Sequence, residues 1–200
     1  MKFALACCVA VLMLAMNWIG VQAVAHNIGQ KTIERRTVVI PINDFVLVDQ
    51  NSREFRFSTL TGRVVIVAFA YTTCPDVCPL ITAALRIVQS GLTADERGKV
   101  FLLTITTDPE IDSPKVLSGY GKRFSADSFN WSFLTGDQAV LARVWKNFGV
   151  GVKRKARGLV DHTPLTAIID RHGQMRVAYI GAAPDAKMML QDVRSLLKQE

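Results

Sequence analysis

Two cysteines four positions apart, Cys74 and Cys78 in Tyr71-Thr-Thr-Cys-Pro-Asp-Val-Cys-Pro-Leu80, are the side chains of this 200-residue sequence best suited to chemistry. A vicinal dithiol can be a structural disulfide, a redox pair or part of a metal site. As a disulfide it would close a very short loop and remove little unfolded-state entropy, which argues against a purely structural staple. Disulfide oxidoreductases favour Cys-x-x-Cys. The longer spacing here opens the bite and suits a metal held between two thiolates.

The flanking residues position the pair. Val64-Val-Ile-Val-Ala-Phe-Ala70 is continuously apolar and starts with β-branched residues, the pattern of a strand buried on both faces. Pro79 suits the first position of a following helix, and Leu80, Ile81, Ala84, Leu85 and Val88 recur as one apolar face. Cys78 then falls at or near the helix N-cap, where orphan N–H groups and the helix dipole favour a thiolate. Cys74, which precedes Pro75, is extended in the loop. A helix beginning at Pro75 instead would set the cysteines one turn apart, which also brings the sulfurs together.

The rest of the chain supplies an α/β frame. Phe45–Val48 and Glu54–Phe57 read as an N-terminal β-hairpin. Leu92–Gly98 reads as a short helical turn, and Val100–Ile105 as a second buried strand. Ser113 with Pro114 caps a helix whose face is Val116, Leu117, Tyr120 and Phe124. Asp108 and Asp112 read as loop-forming and capping residues rather than a catalytic pair. Trp131–Leu134 is a short strand, and Asp137 opens a helix in which Val140, Leu141, Val144, Trp145 and Phe148 share a face. A third buried strand starts at Leu165, Asp170–Gly173 turns into Met175–Ile180, and Met189, Leu190, Val193, Leu196 and Leu197 mark a closing helix. The expected fold is a thioredoxin-like α/β domain: a central mixed sheet, helices on both faces, and the N-terminal hairpin.

In that order of elements a cis proline commonly faces the dithiol, and Pro164 stands where it is expected. His162, two residues earlier, thereby lies on a loop beside Cys74 and Cys78. His26 falls at the boundary of the leader and His172 in a tight turn, so neither competes with it. Two thiolates and one imidazole are soft enough for Cu(I), and hold Cu(II) when another ligand completes the set. Structural zinc normally wants four protein ligands, and no fourth soft residue is evident. Asp161 is a candidate to orient the imidazole from behind.

The bulk properties bound the setting. Hydrophobic residues make up 50% of the sequence, enough for one domain with a full core. Lys2, the apolar run Phe3–Met16 and the small residues up to Ala25 form a signal-peptide pattern, with a retained membrane anchor as the rival reading. Cys7 and Cys8 belong to that leader. The expected division is a leader or anchor at 1–25, a linker at 26–40 and one domain at 41–200. Its setting is then exported, in a periplasm, either soluble or membrane-anchored. The net charge of +7 is partly local, in Lys153, Arg154, Lys155 and Arg157. This run lacks aromatic interleaving, which disfavours nucleic acid and leaves a solvated loop or a partner-docking segment.

Four stretches together resemble the SCO/SenC family of copper proteins involved in cytochrome c oxidase assembly: Phe69–Pro79, Thr106-Thr-Asp-Pro-Glu-Ile-Asp112, Phe133-Leu-Thr-Gly136, and Asp161-His-Thr163 with Asp170-Arg-His-Gly173. The resemblance covers Phe45 to the C-terminus. It implies a thioredoxin-like fold in which Cys74, Cys78 and His162 take the three copper-ligand positions. It also implies delivery of copper to the dinuclear centre of the oxidase's subunit II, with other copper carriers as further partners. The alternative role is a thiol-disulfide oxidoreductase in which Cys74 and Cys78 reduce that site or another exported partner. A peroxidase-like thiol enzyme is a third reading, disfavoured by the paired cysteines. Membrane anchoring is common in the family.

Overall fold

A computed structural model of the chain describes residues 33–181 and 184–199. The leader reading of residues 1–25, including Cys7 and Cys8, and His26 lie outside the described residues. In chain order the strands and helices are β1 (Glu34–Pro41), β2 (Val46–Asp49), β3 (Glu54–Arg56), β4 (Val64–Ala70), α1 (Val77–Gly91), α2 (Ala94–Arg97), β5 (Val100–Thr106) and α3 (Pro114–Arg123). There follow β6 (Trp131–Thr135), α4 (Gln138–Asn147), β7 (Val152–Arg154), β8 (Val160–His162), β9 (Leu165–Ile169), β10 (Gln174–Ile180) and α5 (Ala186–Leu197).

Eight strands form one mixed sheet in the order β1-β10-β9-β4-β5-β6-β2-β3, while β7 and β8 form a separate two-stranded ribbon. The centre of the sheet, β4 with β5 and β5 with β6, is parallel. Every residue of β4 and β5 is buried, which is why these strands read as unbroken apolar runs. Side chains alternate across the sheet, so the two faces are built from interleaved residues of the same strand. Val65, Val67 and Phe69 pack in one core with Leu141, Val144 and Trp145 of α4. Val64, Ile66 and Ala68 pack in the other with Leu85 and Val88 of α1 and Met189 and Val193 of α5. Helices on both faces therefore hold β4 rigid up to the residue where the cysteine loop begins.

The expected hairpin is present, with β2 and β3 antiparallel. The helix caps are also where the side chains place them: the Ser113 hydroxyl accepts from the Val116 N–H, and Asp137 from the Ala139 N–H.

The linker expected at 26–40 is corrected from Glu34 onwards, because Glu34–Pro41 is strand β1, paired antiparallel with β10. Only Val38 among its eight residues is even half-buried, so the strand carries no apolar alternation. Backbone pairing and the bidentate contact of Arg35 with Asp192 on α5, at 2.8 and 2.6 Å, hold it instead. No cis peptide bond occurs among the described residues, so the bond preceding Pro164 is trans.

Candidate metal centre

Tyr71 to Pro75 form the loop leaving β4, with the Cys74 N–H donating to the Tyr71 carbonyl at 3.2 Å. The helix starts at Val77, between the two starts read from the prolines. Cys78 is thus its second residue and is completely buried, while Cys74 stays in the loop, 9% exposed. Pro79 is third, still among the first four positions whose N–H groups have no intrahelical partner, so the proline costs the helix no hydrogen bond. Both cysteines are free thiols.

Their environments separate the two sulfurs. The Cys78 thiol donates to Cys74, and the backbone N–H groups of Asp76 and Cys78 add to it, so Cys74 drops to about 5. The same hydrogen bond, reinforced by burial, pushes Cys78 well above the ordinary thiol range. At neutral pH Cys74 is a thiolate beside a protonated Cys78.

His162 ends β8, and its Nε2 lies 3.8 Å from the Cys78 Sγ. Burial holds the imidazole below its ordinary value, so the ring is neutral. Its Nδ1 is 3.0 Å from the Thr163 carbonyl. That contact makes Nδ1 the protonated nitrogen and leaves the Nε2 lone pair facing the sulfurs. The ring of Tyr71 stands edge-on to the imidazole with centroids 6.0 Å apart. Cys74, Tyr71 and Val160 also pack together in a small apolar cluster with Cys78. A cleft of about 400 Å³, lined by Cys74, Pro75, Leu159 and His162, gives solvent access to the group.

Among the described residues no three His, Cys, Asp or Glu side chains are gathered into a ready-made metal cluster. The three donors instead form a chain of neighbours in which Cys78 touches both Cys74 and His162. Two soft sulfurs and a neutral imidazole nitrogen, with Cys74 and His162 lining a cleft and Cys78 buried behind them, fit a soft metal ion.

The expected role of Asp161 is corrected. Successive side chains of a strand point to opposite faces, so Asp161 turns away from His162. It pairs with Lys155 at 2.7 Å, is 64% exposed and makes no hydrogen bond to the ring. The two aspartates of the Thr106–Asp112 stretch have a larger part than loop formation and capping. Asp112 is completely buried and accepts from the Thr72 hydroxyl at 2.5 Å, the Thr72 N–H at 3.2 Å and the Thr106 hydroxyl at 2.6 Å. It thereby fixes the loop that carries Cys74, while Ser113 does the capping. Asp108 is equally buried and pairs with Arg154 of β7. The spacing of the motif hinted at both aspartates, but nothing local shows which partners they reach.

The family model described as SCO1/SenC matches residues 35–198. The chain belongs to the SCO1/SenC family. A Stutzerimonas stutzeri protein named for copper binding is 33% identical to this SCO1/SenC member over 134 residues, 65% of this chain and 64% of the relative. The chain thus spans just under two thirds of that relative's length. The crystal structure of a SCO1/SenC family lipoprotein from Bacillus anthracis superposes with a TM-score of 0.75 at 25% identity, covering 82% of this chain and 98% of that one. Yeast Sco1 with copper bound superposes with a TM-score of 0.68 at 28% identity, covering 80% and 90% respectively. The thioredoxin-like mixed sheet expected of the family is the one present.

Proposed function

We propose that this chain is a copper metallochaperone that carries one copper ion on Cys74, Cys78 and His162 and assists assembly of the dinuclear copper centre in subunit II of cytochrome c oxidase. The observation that carries this reading is the neutral His162 Nε2 set 3.8 Å from the Cys78 Sγ, with Cys74 packed beside Cys78. The copper-bound state of yeast Sco1 supports the choice of cargo.

Copper as cargo is the electrophile that two thiolates and an imidazole attract. Cys74 offers its sulfur already deprotonated. Cys78 releases a proton from Sγ on loading, so binding weakens as pH falls. His162 needs no proton change, since burial keeps it neutral. Exchange with other copper carriers and with the oxidase takes place through the open cleft.

The signal-peptide pattern of residues 1–25 supports an exported, periplasmic setting, soluble or anchored to the inner membrane. Among the described residues no helix is long and apolar enough to cross a membrane.

The test is anaerobic addition of Cu(I) to the reduced protein and to its Cys78→Ala and His162→Ala variants, followed by competition with a strong chelator. Wild type should hold about one copper and each variant should lose it. Loss from all three proteins alike would reject the copper reading.

A second reading, thiol-disulfide oxidoreductase, is favoured by the split between the sulfurs, with Cys74 at about 5 and Cys78 raised. The Cys74 thiolate attacks a partner disulfide, forming a mixed disulfide and expelling one partner thiolate. Cys78, giving up its proton, then attacks the Cys74 sulfur and expels the second. The partner gains two electrons and the chain gains a Cys74–Cys78 disulfide. This activity survives His162→Ala, which separates it from copper carriage.

A further inference from the structure

His162 reaches the dithiol from a ribbon that is not part of the main sheet. Among the described residues β7 and β8 pair only with each other, through Val152 with His162, Lys153 with Asp161 and Arg154 with Val160. Three residue pairs of ribbon do not hold a fixed position alone, so its attachments decide where the imidazole stands. Val152 and Val160 supply a small apolar contact with the Cys74 and Cys78 cluster. The Thr163 N–H donates to the Gly151 carbonyl at 3.0 Å and Lys155 pairs with Asp161, but these contacts lie within the ribbon and its ends.

Among the described residues, Arg154 makes the ion pairs that join the ribbon to the segment between β5 and α3. Its guanidinium meets the Asp108 carboxylate and lies 3.2 Å from Glu110. The Asp108 side chain is 0% exposed, and among the described residues its other oxygen has no hydrogen-bond partner. A buried carboxylate with one oxygen already unpaired depends heavily on its single cationic partner. Its backbone is fixed in turn, because the Asp108 N–H donates to the Thr106 hydroxyl at 2.9 Å. Thr106 also bonds Asp112, which holds Thr72 in the cysteine loop. The anchor of the imidazole and the anchor of the cysteine loop therefore spring from the same stretch, Thr106–Asp112.

We propose that the Arg154–Asp108 pair is a latch that positions the β7–β8 ribbon, and with it His162, over Cys74 and Cys78. With the latch closed the site presents two sulfurs and a nitrogen. With it open, the ribbon lifts and the site falls back to the two sulfurs. Arg154 and Asp108 are positioning residues that touch no metal. The effect on copper rests on the metallochaperone reading, while the effect on the ribbon does not.

The test uses amide hydrogen exchange on the metal-free protein, then competition for Cu(I) and Cu(II), in Arg154→Met, Asp108→Asn, the double variant and Arg154→Lys. The double variant removes the stranded buried charge, so a loss it shares with Arg154→Met is loss of the latch rather than of stability. Exchange of the Lys155 and Thr163 amides, which donate to the Leu159 and Gly151 carbonyls across the ribbon, should rise at least about tenfold in Arg154→Met and in the double variant, with β4 and β5 amides unchanged. Arg154→Lys should restore part of the protection. Cu(II), which needs the nitrogen donor more, should be lost at least about tenfold more readily than Cu(I).

Unchanged ribbon exchange in both Arg154→Met and the double variant would overturn the latch. So would faster ribbon exchange with wild-type Cu(II) retention, provided His162→Ala loses the metal. If His162→Ala itself retains copper like wild type, the copper reading fails, and faster ribbon exchange would still establish the latch. Should Arg154→Met fail to keep β4 protected, the comparison passes to Arg154→Lys and the double variant, read in the same way.

Discussion

Asp112 takes both the hydroxyl and the backbone N–H of Thr72, at 2.5 Å and 3.2 Å, and so ties the loop bearing Cys74 to the far end of β5. With the Thr106 hydroxyl it satisfies three donors from inside the protein. Asp112→Ala leaves those donors unpaired, and an unpaired buried donor costs about 1–3 kcal/mol. A loss of about 2–4 kcal/mol is expected, read as a lower urea midpoint with an unchanged m-value. Wild-type stability in the variant would show that the loop is held by something else.

Cys74 is the thiol that alkylating reagents should reach first in the metal-free protein. Hydrogen bonding from Cys78 brings it to about 5, so the rate of iodoacetamide modification should rise through that pH and be flat at neutrality. Cys78→Ala removes the chief donor, and the profile should move up towards the ordinary thiol value of about 8.5. Cys78 itself, buried and pushed up, should remain unmodified in the folded protein. Equal modification of both cysteines at neutral pH would contradict the split.

The contact between β1 and α5 gives an acid dependence of stability. Burial pushes the Asp192 carboxyl up, but hydrogen bonds from Arg35 and Tyr179 outweigh it and hold the group below the ordinary carboxylate value. A carboxyl lowered in the folded state stabilises above its unfolded value of about 3.9, and that contribution is lost as pH falls through the folded value. Arg35 is 36% exposed, so screening limits the pair, and Asp192→Asn should cost about 1–2 kcal/mol at pH 7. Once pH has fallen through the lowered folded-state value of Asp192, the variant and wild type should converge in thermal denaturation.

Trp145 is a core residue, as its place on the apolar face of α4 suggested, and it also carries a polar link. Its indole N–H donates to the Thr106 carbonyl at 3.0 Å, at the head of the stretch that leads to Asp108. Trp145→Phe keeps most of the apolar volume but leaves that carbonyl unpaired, a cost of about 1–2 kcal/mol by denaturant titration. A neutral result would mean that water replaces the indole.

What the sequence disclosed follows from which forces are local. The parallel strands β4 and β5 were legible because burial on both faces forces every residue to be apolar. Ser113 and Asp137 were legible because a cap acts within three residues of itself. The start of α1 was bracketed but not placed, since two prolines each offered a plausible first turn and Val77 lies between them. β1 was missed because its stability comes from pairing with β10, which leaves no period in its own residues.

At the site, proximity of Cys74, Cys78 and His162 could be inferred from element order. The surrounding polar contacts could not. Asp161 was assigned to the imidazole because it is adjacent in sequence, yet strand alternation sends it to Lys155. Arg154 looked like one charge in a solvated basic run, and its pairing with Asp108 depends on a fold that brings residues 46 apart together. Tertiary contacts of this kind leave no mark on the local pattern.

The pairing of β1 with β10 joins Glu34 to Ile180, nearly the two ends of the domain. A chain leaving the ribosome therefore makes its cysteine loop well before it can make either the ribbon bearing His162 or the edge of its own sheet. The first strand must stay unpaired until almost everything else has been synthesised. Contacts so distant in sequence close slowly, because the loop between them has to be ordered before it is rewarded. The dithiol is consequently complete before the histidine arrives, and a nascent domain passes through a stage in which it is a bare pair of thiols.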